Sequence, residues 1–436
     1  MDERTRNLLD EIRYRIEGYD PIYNVQEERK PQIIHDGIPF RIPVEPLQLR
    51  YNTLEDIKYL GKAIWKFIRA VIELYEQDEK AKELLDRSKP DYMKGLKEAL
   101  YLFLRLDLGL TREGGVCIYE IDNTLYGMAI LDILNRSYAA QGYGDILLPE
   151  NTLKNYIESQ LNEEGTLVGS NYGERNKKQI EYLAEEIFST EDKKWNFQTA
   201  GEDESRIRDL IYMAFREWEV EFDKDVYNVV RSGKKLLPGL APQLVEKAVL
   251  ALFWDRRFEK FFRKNLGTGS FNFLKRVIPP TCIVGEERYF GMGMPDGVNE
   301  ILDLASLPSG ERLFVLKVSG YKKEASWSKG VWFLSELSQE QCLEALKNAI
   351  EDKDHLYVLQ VFNKGVKRKI SYVGKDGNSI VMPSIVRLSV YYDTKGKLCT
   401  IGFTGCETSR VHAMTTAIIG PVAEKEKPFK EVVNSS

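Results

Sequence analysis

Two short alternating runs, separated by one turn signal, constrain the fold of this chain more than any other feature of its sequence. Residues 102–110 and 116–122 both alternate between apolar and polar side chains, and the glycine-containing segment Thr111 to Gly115 lies between them. Alternating runs on either side of such a segment predict a β-hairpin. We therefore expect an antiparallel pair of strands here.

One face of this hairpin is predicted to carry three carboxylates and one guanidinium. Side chains alternate between the two faces of a strand, so Arg105 and Asp107 share a face, as do Glu120 and Asp122. A four-residue loop, Arg112 to Gly115, places Asp107 opposite Glu120. It also places Arg105 opposite Asp122. Arg105 alone cannot neutralise three carboxylates, and one or two Mg²⁺ ions would supply the missing charge. A solvated face with cross-strand salt bridges explains the same pattern.

A lysine lies inside an apolar run in the last third of the chain. Residues 313–318 are apolar except for Lys317. A buried ammonium group is costly unless an anion meets it. The link over 319–330 contains three further lysines and is bounded by glycines. Such a link suits a polyphosphate and is expected to act as a lid, although the GxxxxGK[ST] order is absent. The alternative is an edge strand whose lysine extends to water.

Three other polar residues lie in or near apolar strands. Gln360 ends an apolar run and either hydrogen-bonds the edge of an adenine or is a satisfied strand glutamine. Arg387 and Arg410 each suit a phosphate or a substrate carboxylate, and surface ion pairing is the alternative for both. The sequence shows no Ser/His/Asp or Cys/His pattern of the kind that nucleophilic catalysis uses.

Length and composition limit the class of protein. A chain of 436 residues is long enough for two or three structural units, and 43% hydrophobic with 30% charged residues is an ordinary globular mixture. The formal charge of -5 does not suggest a nucleic-acid or anionic-membrane binder. No apolar run approaches the roughly 18 residues of a membrane span, and no secretory signal is evident. Five scattered cysteines and three histidines indicate neither a disulfide framework nor a zinc site, which favours a reducing cytoplasm.

The remaining periodicities predict a largely helical first half and a strand-rich last third. The helices are expected over 53–86, 91–101, 128–140, 150–161, 175–189, 204–231, 241–266 and 338–350, with a break at 267–270. The last helix begins with a possible capping box, Ser338 with Gln341. The further strands are expected over 312–318, 330–334, 355–362, 385–392 and 398–403.

The order of these pieces resembles that of the circularly permuted ATP-grasp proteins, the group that includes glutathionylspermidine synthetase. That family has R-x-D, then E-x-N, and much later a lysine in an apolar strand, a glycine-rich hairpin and an apolar strand ending in glutamine. The matching pieces here are Arg105-x-Asp107, Glu120-x-Asp122, Lys317 with the 319–330 link, and Tyr357-Val358-Leu359-Gln360. The resemblance covers roughly residues 100–140 and 270–425. Asp122 stands in place of the asparagine, although Asn123 is adjacent.

The resemblance implies an α+β, multilobed, ATP-grasp-like fold that is circularly permuted and has a helical N-terminal region. The implied cofactors are ATP and Mg²⁺. The metal ligands would be Asp107, Glu120 and Asp122. The ATP-binding residues would be Lys317, Lys353, Gln360 and Arg410. Arg105 would stabilise an acyl phosphate and the tetrahedral intermediate that forms from it. The implied units are a helical region (1–95), the acidic hairpin with its helix (96–145), a helical or mixed middle region (146–270), a nucleotide-binding lobe (271–425) and a flexible tail (426–436).

The implied activity is that of an ATP-dependent carboxylate–amine ligase. Its partners would be a small carboxylate and an amine, joined through an acyl phosphate. Two other functions are compatible with the same residues. One is a non-catalytic nucleotide-binding or interaction protein that kept the fold. The other is a metal-dependent phosphotransferase that uses the same ATP site without forming an amide.

Overall fold

The structure of the protein is a computed structural model. It describes residues 3–16, 40–87, 89, 94, 102–122, 125, 127–143, 147, 152–170, 177–214, 220, 223–237, 247–320, 325, 330–374, 377–409, 411 and 416–425. Within these ranges, no helix combines the length and the apolar composition that a membrane span requires.

Helices and strands alternate irregularly along the chain. The helices are α1 (Glu3–Ile16), α2 (Tyr51–Gln77), α3 (Glu79–Asp86), α4 (Met128–Ala140), α5 (Thr152–Gln160), α6 (Lys177–Tyr182, continued by a π-helical segment over Leu183–Phe188), α7 (Lys224–Arg231), α8 (Ala248–Trp254), α9 (Glu259–Val277) and α10 (Gln339–Glu351). The strands are β1 (Leu47–Leu49), β2 (Phe103–Leu110), β3 (Val116–Asp122), β4 (Thr166–Gly169), β5 (Asn196–Thr199), β6 (Leu210–Met213), β7 (Lys235–Leu237), β8 (Thr281–Ile283), β9 (Phe314–Ser319), β10 (Val331–Phe333), β11 (Leu356–Val361), β12 (Lys367–Val373), β13 (Ser379–Asp393), β14 (Leu398–Cys406) and β15 (Ile418–Glu424).

The largest sheet joins the acidic hairpin to strands from the far end of the sequence. Its order is β1-β15-β14-β13-β2-β3, and β12 also pairs with β13. The β13 strand pairs antiparallel with β2, which brings Ser389 opposite Asp107. The hairpin therefore adds its polar residues to a wall that also carries side chains of β13.

The predicted hairpin is confirmed, including the register of its charged residues. Asp107 pairs with Glu120, and Arg105 pairs with Asp122. The loop begins one residue earlier than predicted, because a bulge at Tyr119 shifts the register between the two halves of the hairpin. A bulge reverses which face the residues beyond it occupy. Simple alternation along β3 would place Cys117 on the apolar face, and it instead pairs with Gly109, on the same face as Asp107.

A second, antiparallel sheet has the order β10-β9-β11-β8. Lys317 belongs to β9, which lies between β10 and β11, so the interpretation of its strand as an edge strand is wrong. Gln360 lies on the neighbouring β11. The helix α10 was predicted correctly, and both hydrogen bonds of its capping box are present. The side chains of this helix pack on the outer face of the sheet, in a cluster that includes Cys342 and Leu346.

A third sheet, of order β5-β4-β6-β7, is parallel throughout and was not predicted. The helix expected over 204–231 is wrong as one continuous element, since β6 occupies Leu210–Met213, between a 3₁₀ turn at Glu204–Arg206 and α7 at Lys224–Arg231. The β4 and β6 strands are four residues long and buried throughout. Short strands buried on both faces show no alternation, so periodicity cannot separate them from helix.

The long helices largely follow the prediction. The helix expected over 53–86 is divided at Asp78, whose side chain caps α3 by accepting from the backbone N–H groups of Lys80 and Ala81. The helix over 128–140 is confirmed. The break expected at 267–270 is only a kink, because α9 continues past Gly267, which has a φ of 69°. The helix predicted over 91–101 lies outside the described residues, apart from Lys94.

One apolar cluster fixes the orientation of the large sheet. Residues along α2, such as Leu60, Ile64 and Phe67, are buried against Leu106 and Leu108 of β2. These leucines alternate with Arg105 and Asp107 along the strand. Burial of the leucines under α2 therefore turns the charged side chains towards the opposite face.

Candidate functional site

A cleft lies between the charged face of the large sheet and the second sheet, β10-β9-β11-β8. It is lined by Lys247, which directly precedes α8, and by residues of the strands and their connections. The latter are Asp107, Tyr119, Glu120, Val315, Lys317, Val331, Phe333, Gln360, Val361, Phe362, Asn363, Gly365, Ile385, Arg387, Ser409 and Val411. The lining combines apolar walls with a few charged groups, as the linings of small-molecule sites do.

Two arginines bind the aspartates of the hairpin. Arg105 Nη2 donates to Asp122 Oδ2 at 2.5 Å, and Arg105 Nε forms an ion pair with Asp107 Oδ1 at 3.2 Å. Arg387 Nη1, from β13, lies 3.1 Å from Asp107 Oδ2. Ser389 donates to Asp107 Oδ1 at 3.4 Å. These contacts connect both strands of the hairpin with β13.

Glu120 faces a lysine that the sequence analysis did not single out. Lys247 Nζ lies 3.3 Å from Glu120 Oε1 and donates to the carbonyl oxygen of Ala325 at 2.9 Å. Lys247 therefore connects the acidic hairpin with the 319–330 link. In the sequence it was one charged residue within a predicted helix over 241–266, where a solvated helix face was sufficient explanation.

Lys317 is buried at the junction of the two sheets. Its Nζ donates to Gln360 Oε1 at 2.6 Å and to the carbonyl oxygen of Tyr119, in the large sheet, at 3.1 Å. Gln360 Nε2 in turn donates to Thr281 Oγ1 at 3.1 Å, so the amide is engaged at both ends. Burial lowers the pKa of Lys317 to about 8, an effect that Glu120 opposes and Lys247 reinforces.

The remainder of the cleft is mostly apolar. The second sheet and the residues after β11 contribute Val315, Phe333 and Phe362. The opposite wall contributes Ile385 and Val411. The rings of Phe333 and Phe362 meet edge to face, with centroids 5.0 Å apart. The sequence predicts that an adenine contacts Gln360 and its neighbours along the chain. In the structure, the neighbours that line the cleft are those on the C-terminal side of Gln360, from Val361 onwards. The apolar run ending at Phe362 was the signal for it.

Of the other predicted ATP-binding residues, the structure describes only Lys353, which lies apart from this geometry. Lys353 lies in the turn between α10 and β11, at the opposite end of β11 from Phe362, and does not line the cleft. Arg410 lies outside the described residues, although its neighbours Ser409 and Val411 line the cleft. Asn123 and most of the 319–330 link also lie outside the described residues, and so does the lid that was predicted there.

The three carboxylates implied as Mg²⁺ ligands do not fit that role as they are arranged. Asp107 and Asp122 contact Arg105, Asp107 also contacts Arg387, and Glu120 contacts Lys247. Across the described ranges, no group of three His, Cys, Asp or Glu side chains is placed to hold a metal ion. No step of the proposed chemistry is assigned to a metal.

The comparisons with known proteins show the fold alone. No family model matches the sequence, and no curated protein matches it. Among solved structures, the chain is similar to a glutathione synthetase-like effector from Globodera pallida in its apo form. The identity is 14%, the TM-score is 0.57, and the match covers 98% of each chain. This protein is therefore a mixed α/β chain whose overall fold is like that of a glutathione synthetase-like protein.

The burial of Arg105 predicts a large effect of its removal on stability. Arg105→Gln should lower the free energy of unfolding by about 3 kcal/mol, because it removes a cationic partner from two buried carboxylates. Urea-induced unfolding at pH 7 measures the change. The matched control is Arg263→Gln, which breaks an exposed ion pair with Glu259 and should cost less than about 1 kcal/mol. Equal, small losses of unfolding free energy in both variants would contradict a stabilising role for the buried ion pairs of Arg105.

Proposed function

We propose that this protein binds ATP in the cleft between the two sheets and acts as an ATP-dependent carboxylate–amine ligase. The observation that carries the proposal is the combination of side chains that line the cleft. It has the cations Lys317, Lys247 and Arg387 together with a set of apolar side chains, here called the apolar slot, that includes Val315, Phe333 and Ile385. A nucleoside triphosphate likewise combines a polyanion with a flat ring. The likeness to a glutathione synthetase-like fold supports the class of reaction.

The slot suits the adenine ring. Its walls carry Val315 and Phe333 on one side and Ile385 on the other, so a flat ring would bury both of its faces. The triphosphate would then extend towards Lys317 and Lys247. Both ammonium groups are held by acceptors from the protein, so they are already in place before a ligand arrives.

The order of the pieces along the chain supports a circularly permuted ATP-grasp arrangement. The hairpin that carries the carboxylates precedes the strand that carries Lys317, and both line the same cleft. The permuted members of the family that the sequence resembles have this order. The fold of the 166–237 segment, with its parallel sheet, then supplies a lobe outside the nucleotide cleft.

The proposed reaction has two steps. An oxygen of the substrate carboxylate forms a bond to the γ-phosphorus of ATP, the bond to the β,γ-bridging oxygen breaks, and ADP leaves. The amine then attacks the acyl carbon, inorganic phosphate leaves, and one proton is released. Negative charge develops on the phosphate oxygens, where Lys317, Lys247 and Arg387 stabilise it. Arg105 does not line the cleft, so we assign it the positioning of Asp107, which in turn holds Arg387.

A second candidate is a non-catalytic nucleotide-binding protein. The ion pairs of Asp107 and Asp122 with guanidinium groups favour it, because an ATP-grasp ligase of the type in the resemblance uses these carboxylates for metal ions. The two candidates share the nucleotide site and differ only in whether bound ATP then reacts with a carboxylate.

The proposed nucleotide site predicts that Lys317 is needed for ATP binding and that Lys353 is not. Lys317→Met keeps the length of the side chain and removes the charge, so the affinity for ATP should fall about tenfold or more. Lys353→Met removes a lysine that lies away from the cleft, and its affinity should stay within about twofold of wild type. Calorimetric titration of Mg-ATP at pH 7 measures both. No binding to a folded wild-type protein contradicts the proposal.

The pKa of Lys317 predicts how binding depends on pH. At about 8, this pKa leaves the ammonium group charged at pH 7 and neutral at pH 9.5. ATP affinity should therefore fall as the pH rises through about 8, by at most tenfold per pH unit for the loss of one proton. Titrations between pH 7 and pH 9.5 measure the change, above the phosphate pKa near 6. The Lys317→Met variant should lack this transition, and a flat profile in wild type would contradict the role of Lys317.

Trapping the acyl phosphate separates the two candidate functions. A ligase should release ADP with its carboxylate substrate and, when hydroxylamine replaces the amine, form the corresponding hydroxamate. The measurement screens amino acids, small peptides and dicarboxylates for ADP release and then for hydroxamate. ATP binding without ADP release above the ATP-only rate, across that panel, would favour the non-catalytic candidate.

A further inference from the structure

The positive charges that contact the carboxylates of the cleft belong to side chains of the protein. Asp107 contacts Arg105 and Arg387 at 3.2 and 3.1 Å. Glu120 contacts Lys247 at 3.3 Å. Each of these cations is covalently tethered, and two of them are guanidinium groups, which stay protonated in proteins. Counter-charge on this wall therefore does not depend on an ion from solution.

Among the described side chains of the two walls, the balance of charge is positive. Arg105, Arg387, Lys247 and Lys317 are four cations. The three carboxylates opposite them are Asp107, Glu120 and Asp122. The wall thus carries one positive charge in excess, whereas the hairpin with Arg105 alone would have left two negative charges to be neutralised. A divalent cation would enter a site that already repels it.

We propose that the cleft binds the triphosphate of ATP without a divalent metal ion, and that Arg387, Lys247 and Lys317 serve as its counter-charges. This inference rests on the proposed nucleotide site and concerns how that site neutralises its ligand. It does not depend on whether a ligation step takes place after binding.

A metal at Asp107 would compete with two guanidinium groups for the carboxylate oxygens. Arg105 is only 9% exposed, so little water is available to replace a carboxylate that it loses. A buried guanidinium that loses its carboxylate leaves an uncompensated charge, which is strongly unfavourable. Mg²⁺ also dehydrates reluctantly and demands near-octahedral oxygen ligands. Both costs favour retention of the fixed cations.

Arg387 has donors left for a phosphate. One of its terminal nitrogens, Nη1, contacts Asp107, while its Nε is buried and makes no hydrogen bond with the described residues. A guanidinium has five N–H donors, and its planar fork matches the oxygens of a phosphate group. Since Arg387 lines the cleft, it can hold Asp107 on one edge and donate to a phosphate from the other.

The inference predicts that removing divalent cations leaves ATP binding intact. Calorimetric titration of ATP into the wild-type protein in excess EDTA should give a dissociation constant within about threefold of the value in excess Mg²⁺. Loss of more than about tenfold in EDTA would overturn the inference while leaving the proposed ATP site in place. No binding in either buffer would overturn both.

A matched pair of variants at Arg387 tests whether Mg²⁺ can replace the positive charge of this side chain. Arg387→Gln removes the charge and one of the two guanidinium partners of Asp107, so ATP binding in EDTA should weaken about tenfold or more, and Mg²⁺ should restore part of it. Arg387→Lys keeps the charge, and its binding should stay independent of Mg²⁺. If Arg387→Gln bound ATP as wild type does in EDTA, the guanidinium would not be a counter-charge.

A direct measurement of metal binding needs no nucleotide. Titration with Mn²⁺, monitored by the electron paramagnetic resonance signal of the free ion, should show no site in the wild-type protein below about 1 mM. The Arg387→Gln variant should bind one Mn²⁺ more tightly than wild type. Tight Mn²⁺ binding by the wild-type protein that is lost in an Asp107→Asn variant would overturn the inference.

Discussion

The contact between the Arg105 guanidinium and two buried aspartates is the interaction on which the cleft depends. It connects the two strands of the hairpin on their charged face, and Arg387 and Ser389 extend the same contacts to β13. A buried carboxylate needs such partners, since burial without them is costly. The wall of the cleft is thus held by charge on one face and by the apolar packing of α2 on the other.

Lys317 connects the two sheets, as Arg105 connects the two strands of the hairpin. Its ammonium group donates to one acceptor from each sheet, Gln360 Oε1 and the carbonyl oxygen of Tyr119. A cation held this way points into the space between the sheets and remains attractive to an anion, although burial lowers its pKa. The junction of the sheets and the candidate binding site are consequently the same place.

The sequence predicts the parts of this arrangement that depend on neighbours along the chain. Alternation around a turn predicted the hairpin and the opposition of Asp107 with Glu120, and a capping box predicted the start of α10. It could not predict contacts between distant segments, such as Arg387 with Asp107 or Lys247 with Glu120. It also missed the bulge at Tyr119 and the short parallel strands, because neither leaves a period in the sequence.

Asp122 is the residue that the ATP-grasp resemblance accounts for least, and the ion pairs give it a physical reason. An asparagine at this position would offer Arg105 a neutral oxygen, whereas aspartate offers a charged one at 2.5 Å from Nη2. If Arg105 were the only cation of the site, a third carboxylate would leave negative charge without a counter-charge. With Arg105, Arg387 and Lys247 present, the three carboxylates are balanced by three cations. Under the proposed metal-free site, Asp122 is the counter-ion that holds Arg105 in place, and an aspartate suits this position because its neighbours are cations of the protein.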